Sequence, residues 1–96
     1  MARTERPRPN ALSASWPESP SSDPAGEVAR RFALALAEQI GSRTLREVAE
    51  QCELTHATLV GILAGRTWPD MRTISRLEDG LDVDLWPGRI LRSSDR

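Results

Sequence analysis

The sequence predicts an all-α domain, a compact bundle of four to five short helices preceded by a disordered N-terminal arm. Three observations point there. Apolar residues recur at helical spacing from Val28 onward. Residues suited to capping a helix start stand just ahead of these runs, at Asp23, Thr44, Thr55 and Asp70. No segment shows a convincing strand pattern, and no internal repeat is visible.

Met1 to about Ser22 is rich in proline, serine and arginine and has no helical or alternating apolar pattern, so it is expected to form a disordered arm, residues 1–22. Arg3, Arg6 and Arg8 leave two readings open, a passive leader or a basic arm touching DNA phosphates or a minor groove. The domain proper is expected over residues 23–92. Asp23 caps helix one with Pro24 at its first position, Val28, Phe32, Leu36 and Ile40 form its apolar stripe, and Gly41 stops it. Arg30, Arg31 and Glu38 fall largely off that stripe.

Thr44-Leu45-Arg46-Glu47 is a capping box that opens helix two, with Leu45, Val48, Ala49 and Cys52 inward. Thr55 follows Cys52 by only three residues, so helices two and three meet across a very short turn. Helix three is expected from about His56 to Ala64 with Leu59, Ile62 and Leu63 inward and Gly65 closing it. Asp70 caps helix four, whose Ile74, Leu77 and Leu81 face the core, and Pro69 fixes the approach. A short last helix from about Leu85 to Arg92, led by Asp84, completes the prediction, with residues 93–96 as a disordered tail.

Composition narrows the function classes. The folded part, roughly 65 to 70 residues, is just large enough for one core. The single cysteine, Cys52, excludes an internal disulfide framework. Cys52 and His56 straddle a turn, and no other cysteine or histidine exists to complete a metal site, so neither metal nor cofactor is expected. No run of about 18 apolar residues and no secretory signal pattern is present, which predicts a soluble cytoplasmic protein that takes no membrane as partner. No paired carboxylates, nucleophile with base, or phosphate loop can be assembled, so an enzyme is not expected. The net charge of −1 does not by itself suggest nucleic acid, and the 13 basic residues, all arginine, fit either a coding bias or forked phosphate and guanine contacts.

Two helices across a tight turn require a small residue where they cross and apolar residues at set positions. In LREVAEQCELTHATLVGILAGR, Ala49 takes the crossing and Val48, Cys52, Leu54, Leu59 and Ile62 the apolar positions. From about Val28 to Pro87 the chain resembles the lambda-repressor and Cro type (XRE-like) helix-turn-helix family. TLREVAEQ is similar to its helix two, LTHATLVGILAGR to its turn, recognition helix and closing glycine, and the segment ending LDVDLW to its helix four and exit. Departures are Glu53, where the turn usually has a left-handed glycine, at a cost of ~1 kcal/mol, Gly80 within helix four, and Asp82 at a common glycine position.

The resemblance implies sequence-specific binding of double-stranded DNA by a transcriptional regulator, with helix three in the major groove. It places His56, Ala57, Val60 and Gly61 toward bases with Thr55 and Thr58 at the entrance, and Arg43, Thr44, Arg46, Arg66, Thr67 and Arg72 at phosphates. It also implies a homodimer on a two-fold site. Trp86, Ile90 and Leu91 fit either a dimer surface or a lid on the helix-one stripe. Two other functions stay open, a protein-interaction module that kept the fold without DNA, recognising a protein partner, and an antitoxin-type autoregulator.

Overall fold

In the computed structural model, which describes residues 6–90, Asp23 starts α1 (Pro24–Ile40) by accepting a hydrogen bond from the Gly26 N–H, and Gly41 ends it with φ +59°. Thr44 and Glu47 close the reciprocal capping box that opens α2 (Leu45–Gln51). Thr55 caps α3 (His56–Leu63) through the Thr58 N–H, and Asp70 caps α4 (Met71–Leu81) through the Thr73 N–H. Each cap satisfies one N–H that the helix itself leaves orphaned.

The described residues form four α-helices and no strand. Phe32, Leu36 and Ile40 of α1, Val48, Ala49 and Cys52 at α2, Leu59 and Ile62 of α3, Leu77 of α4 and Leu85 after it make one contiguous core. Val28, at the start of the α1 stripe, is half-buried at the rim, and Ala29 beside it is buried instead. Burial pushes the Cys52 thiol above its ordinary range. Gly80 is where α4 meets the end of α2: a Cβ there would lie 2.7 Å from Cys52 Sγ, while Gln51 Nε2 donates to Gly80 O at 2.8 Å. What reads in the sequence as a helix weakness is the condition for that close approach.

The expected disordered arm is corrected over residues 6–22, which lie against the helices as a strap. Pro9–Leu12 forms one 3-10 turn with Pro9 buried. Trp16 donates its indole N–H to Leu63 O at 2.9 Å, and Asn10 donates its backbone N–H to Gly65 O at 2.9 Å and its side-chain amide to Ala64 O at 3.1 Å. Composition missed this for two reasons. Prolines lower the entropy lost on ordering, and one tryptophan adds a large apolar area with a donor that finds a partner. Residues 1–5 of the expected arm, including Arg3, lie outside the described residues.

The strap is also tied to α1 through a charge cluster. Glu27, only 6% exposed, accepts from Ser21 N at 2.9 Å, from Arg30 Nε at 3.0 Å and a terminal Arg30 nitrogen at 2.7 Å, and from Arg31 Nε at 2.8 Å. Arg30 reaches on to Pro17 O at 3.0 Å, so it is covered by the strap, not solvated as its position off the apolar stripe suggests.

The predicted last helix is corrected too. Residues 82–90 contain no helical turn. The N–H groups of Leu85 and Trp86 are both held by one oxygen of Glu78, each at 2.8 Å. Pro87 steers Trp86 away from helical backbone, and Gly88 sits at φ +77°. Leu91, Arg92 and the predicted tail 93–96 lie outside the described residues.

Candidate nucleic-acid interface

The turn between α2 and α3 is built on backbone hydrogen bonds. Leu54 N donates to Ala49 O at 2.8 Å and Glu53 N to Glu50 O at 3.2 Å, the paired pattern of a helix ending in a left-handed residue. That residue is Glu53, at φ +59°, as its position in the motif predicts. Arg76 donates to Glu53 O at 3.0 Å and braces the turn from α4. Glu53→Gly is expected to stabilise the domain by ~1 kcal/mol, the usual left-handed penalty of a side chain, read as a rise in the midpoint of urea unfolding. An unchanged or lower midpoint would show that Glu53 is not strained.

α3 ends in the same way, with Arg66 N donating to Gly61 O at 2.9 Å and Gly65 N to Ile62 O at 3.1 Å, Gly65 standing at φ +72°. The strap satisfies the next three carbonyls, Leu63, Ala64 and Gly65, through Trp16 and Asn10. These two residues were not singled out in the sequence. The available signal was a tryptophan among prolines in a chain with few aromatic residues.

Of the predicted base-facing residues, Thr55 and Ala57 are exposed, and His56, Thr58 and Val60 are half-buried on the same helix. The Thr55 and Thr58 hydroxyls lie 2.8 Å apart and are engaged in the cap. Gly61 is not on the open face. It is buried, and a Cβ on it would meet Thr67 Oγ1 at 3.2 Å. Its lack of a side chain lets the α3–α4 loop, not a ligand, come close.

The predicted phosphate residues divide into two groups. Arg46 joins His56, Ala49, Glu50 and Leu54 around a shallow hollow between α2 and α3. Arg66 and Thr67 are exposed on the α3–α4 loop, and Arg72 is exposed in the first turn of α4. Arg43 instead turns back, donating to Gln39 O at 2.8 Å and to Gln51 Oε1 at 3.4 Å. Thr44 is exposed, but its hydroxyl and N–H are both used in the capping box. The Glu47 carboxylate, held below the usual range mainly by the Thr44 N–H, puts a negative charge at the start of α2. Glu50 and Glu53 are exposed nearby. Acidic side chains thus gather at α2 and its exit, whereas residues 54–69 contain Arg66 and His56 and no acidic residue.

Residues 41–85 match the family model described as Helix-turn-helix. This segment is a helix-turn-helix domain of the lambda-repressor, XRE-like type, the class of DNA-binding regulators the motif resembled. The match spans α2 to Leu85 and leaves α1 and the strap outside it. No curated protein matches the chain. Among the described residues no helix is long and apolar enough to cross a membrane, and no group of three potential metal ligands is found.

Proposed function

We propose that the chain is a transcriptional regulator that binds double-stranded DNA sequence-specifically, with α3 in the major groove. The observation that carries this reading is α3 itself. It is preceded by a braced turn, carries no acidic residue, and offers Thr55, His56, Ala57, Thr58 and Val60 on its accessible side. Ala57 and Val60 fit thymine methyl groups, and His56 can donate to a guanine edge or a phosphate. Arg66, Thr67, Arg72 and Arg46 hold the backbone. With few polar readers on the helix, part of the discrimination comes from DNA shape. The protein works in the cytoplasm as a homodimer on a two-fold site, since one short recognition helix gives little affinity alone. Trp86, 54% exposed beside an apolar hollow lined by Val28, Phe32 and Trp68, is the candidate dimer contact.

Selection from a randomised duplex pool is expected to enrich a two-fold motif with half-sites about one helical turn apart. Arg66→Glu is expected to weaken binding about tenfold or more across all sequences, and to flatten the salt dependence, with the fold intact. Failure to retain any duplex at low salt would overturn the DNA reading and favour a protein partner for α3. Unchanged affinity in Arg66→Glu would remove Arg66 from the interface.

A further inference from the structure

We infer that the N-terminal strap supplies a DNA phosphate contact of its own, Arg8, held beside Arg66 by the strap's hydrogen bonds to the α3–α4 loop. The inference rests on the DNA reading above and adds to it a residue outside the segment that matches the family model.

Two pins fix the strap against the loop. The Trp68 indole N–H donates to Pro7 O at 2.9 Å, and Asn10 N donates to Gly65 O at 2.9 Å. Between these pins lie Arg8 and Pro9 on the strap, and Arg66 and Thr67 on the loop, running in opposite directions. Pro9 is buried, whereas Arg8 beside it is exposed, so the arginine is the member of the pair left to meet solvent or a ligand. The seat is tight: a Cβ on Gly65 would come within 2.6 Å of the Trp16 ring and 2.9 Å of Asn10 Cβ. A strap held this way presents Arg8 with most of its backbone entropy already lost, which lowers the cost of a contact.

Charge supports the assignment. Residues 6–17 contain Arg6 and Arg8 and no acidic residue, and residues 54–69 contain none either. The pins therefore join two acid-free, basic segments into one edge, on a chain whose net charge is −1. Arg30 and Arg31 pair with Glu27, whereas Arg6, like Arg8, has no ion pair and lines a small hollow that Asp23 also lines. Among the described residues no ion pair neutralises Arg8 or Arg66. Two unneutralised guanidinium groups on adjacent, mutually pinned segments suit the phosphate backbone, and a phosphate contact is indifferent to base sequence.

The test is the salt dependence of duplex binding by the full chain, comparing wild type, Arg8→Ala and Arg89→Ala. The last removes the same charge from the exposed exit segment. Arg8→Ala is expected to reduce the slope of log K against log salt by about 0.9 and to weaken binding several-fold at low salt, equally for selected and unrelated duplexes. Arg89→Ala is expected to leave the slope unchanged. If wild type binds but Arg8→Ala keeps its slope, or if both variants lose the same amount, the strap contact is overturned while the DNA reading stands. If wild type binds no duplex, the DNA reading itself fails.

Discussion

Phe32→Ala is expected to lower the free energy of unfolding by about 4 kcal/mol, the largest effect of any single truncation in the domain. The ring is fully buried at the middle of α1, between the core residues of α2 to α4 and the hollow lined by Ala25, Val28, Ala29, Trp68, Pro69 and Trp86. Shortening it to alanine removes apolar contacts on every side, and the space cannot close easily. Trp68 is tethered to Pro7 O, Pro69 has a fixed φ, and α1 is held at both ends by its caps. The vacated volume therefore stays open beside the existing hollow, which puts the cost at about 4 kcal/mol, the middle of the range for phenylalanine truncations. A domain of this size has about 5–15 kcal/mol in total, so the variant should show a much lower urea midpoint with an unchanged slope. Leu34→Ala, on the same helix but 41% exposed, is the control and should change stability by no more than ~0.5 kcal/mol. A loss below about 1.5 kcal/mol at Phe32 would mean that the site collapses around the missing ring.

What was legible in the sequence follows the range over which each signal acts. All four helix starts, at Asp23, Thr44, Thr55 and Asp70, were readable because a cap is written within four residues: an oxygen-bearing side chain and the N–H it accepts. The left-handed turns at Glu53 and Asp82 were readable for the same reason, through their position after a helix. The strap was not readable. Trp16 meets Leu63 and Trp68 meets Pro7 across 47 and 61 residues, and no local pattern records such a pairing. The site divides the same way. That Thr55, His56, Ala57, Thr58 and Val60 share one short capped helix was legible locally, and their facing DNA is what the resemblance implies; that Gly61 lies under Thr67, or that Arg43 turns back to Gln39, depends on how neighbouring elements settle. The predicted last helix failed on local signals that were underweighted: Pro87 disfavours helical backbone at Trp86, and Gly88 stands at φ +77° within the expected helix.

Glu27→Gln is expected to destabilise the protein by about 3 kcal/mol at neutral pH, and the difference from wild type should vanish in acid. The Glu27 carboxylate is lowered from 4.5 to about 2, chiefly by its hydrogen bonds from Arg30, with further help from Ser21 N and Arg31, against the opposing effect of burial. A carboxyl whose folded pKa lies below its unfolded one favours the folded state fully above pH 4.5 and loses that contribution as pH falls toward 2. Other carboxylates titrate in the same window, Glu78 and Asp70 among those lowered by backbone N–H groups, so the wild-type curve alone does not isolate Glu27. The gap between wild type and Glu27→Gln does, because the other groups are common to both. The amide keeps the shape of the side chain but offers Arg30 a neutral oxygen and leaves its guanidinium, 13% exposed, without a counter-charge. Because Arg30 also holds Pro17 O and Glu27 holds Ser21 N, the same substitution should loosen the strap, seen as faster hydrogen exchange at the Ser21 N–H and the Trp16 indole. A gap that stays constant from pH 7 to pH 2 would show that the Glu27 charge contributes nothing and that its hydrogen-bond geometry alone holds the strap to α1.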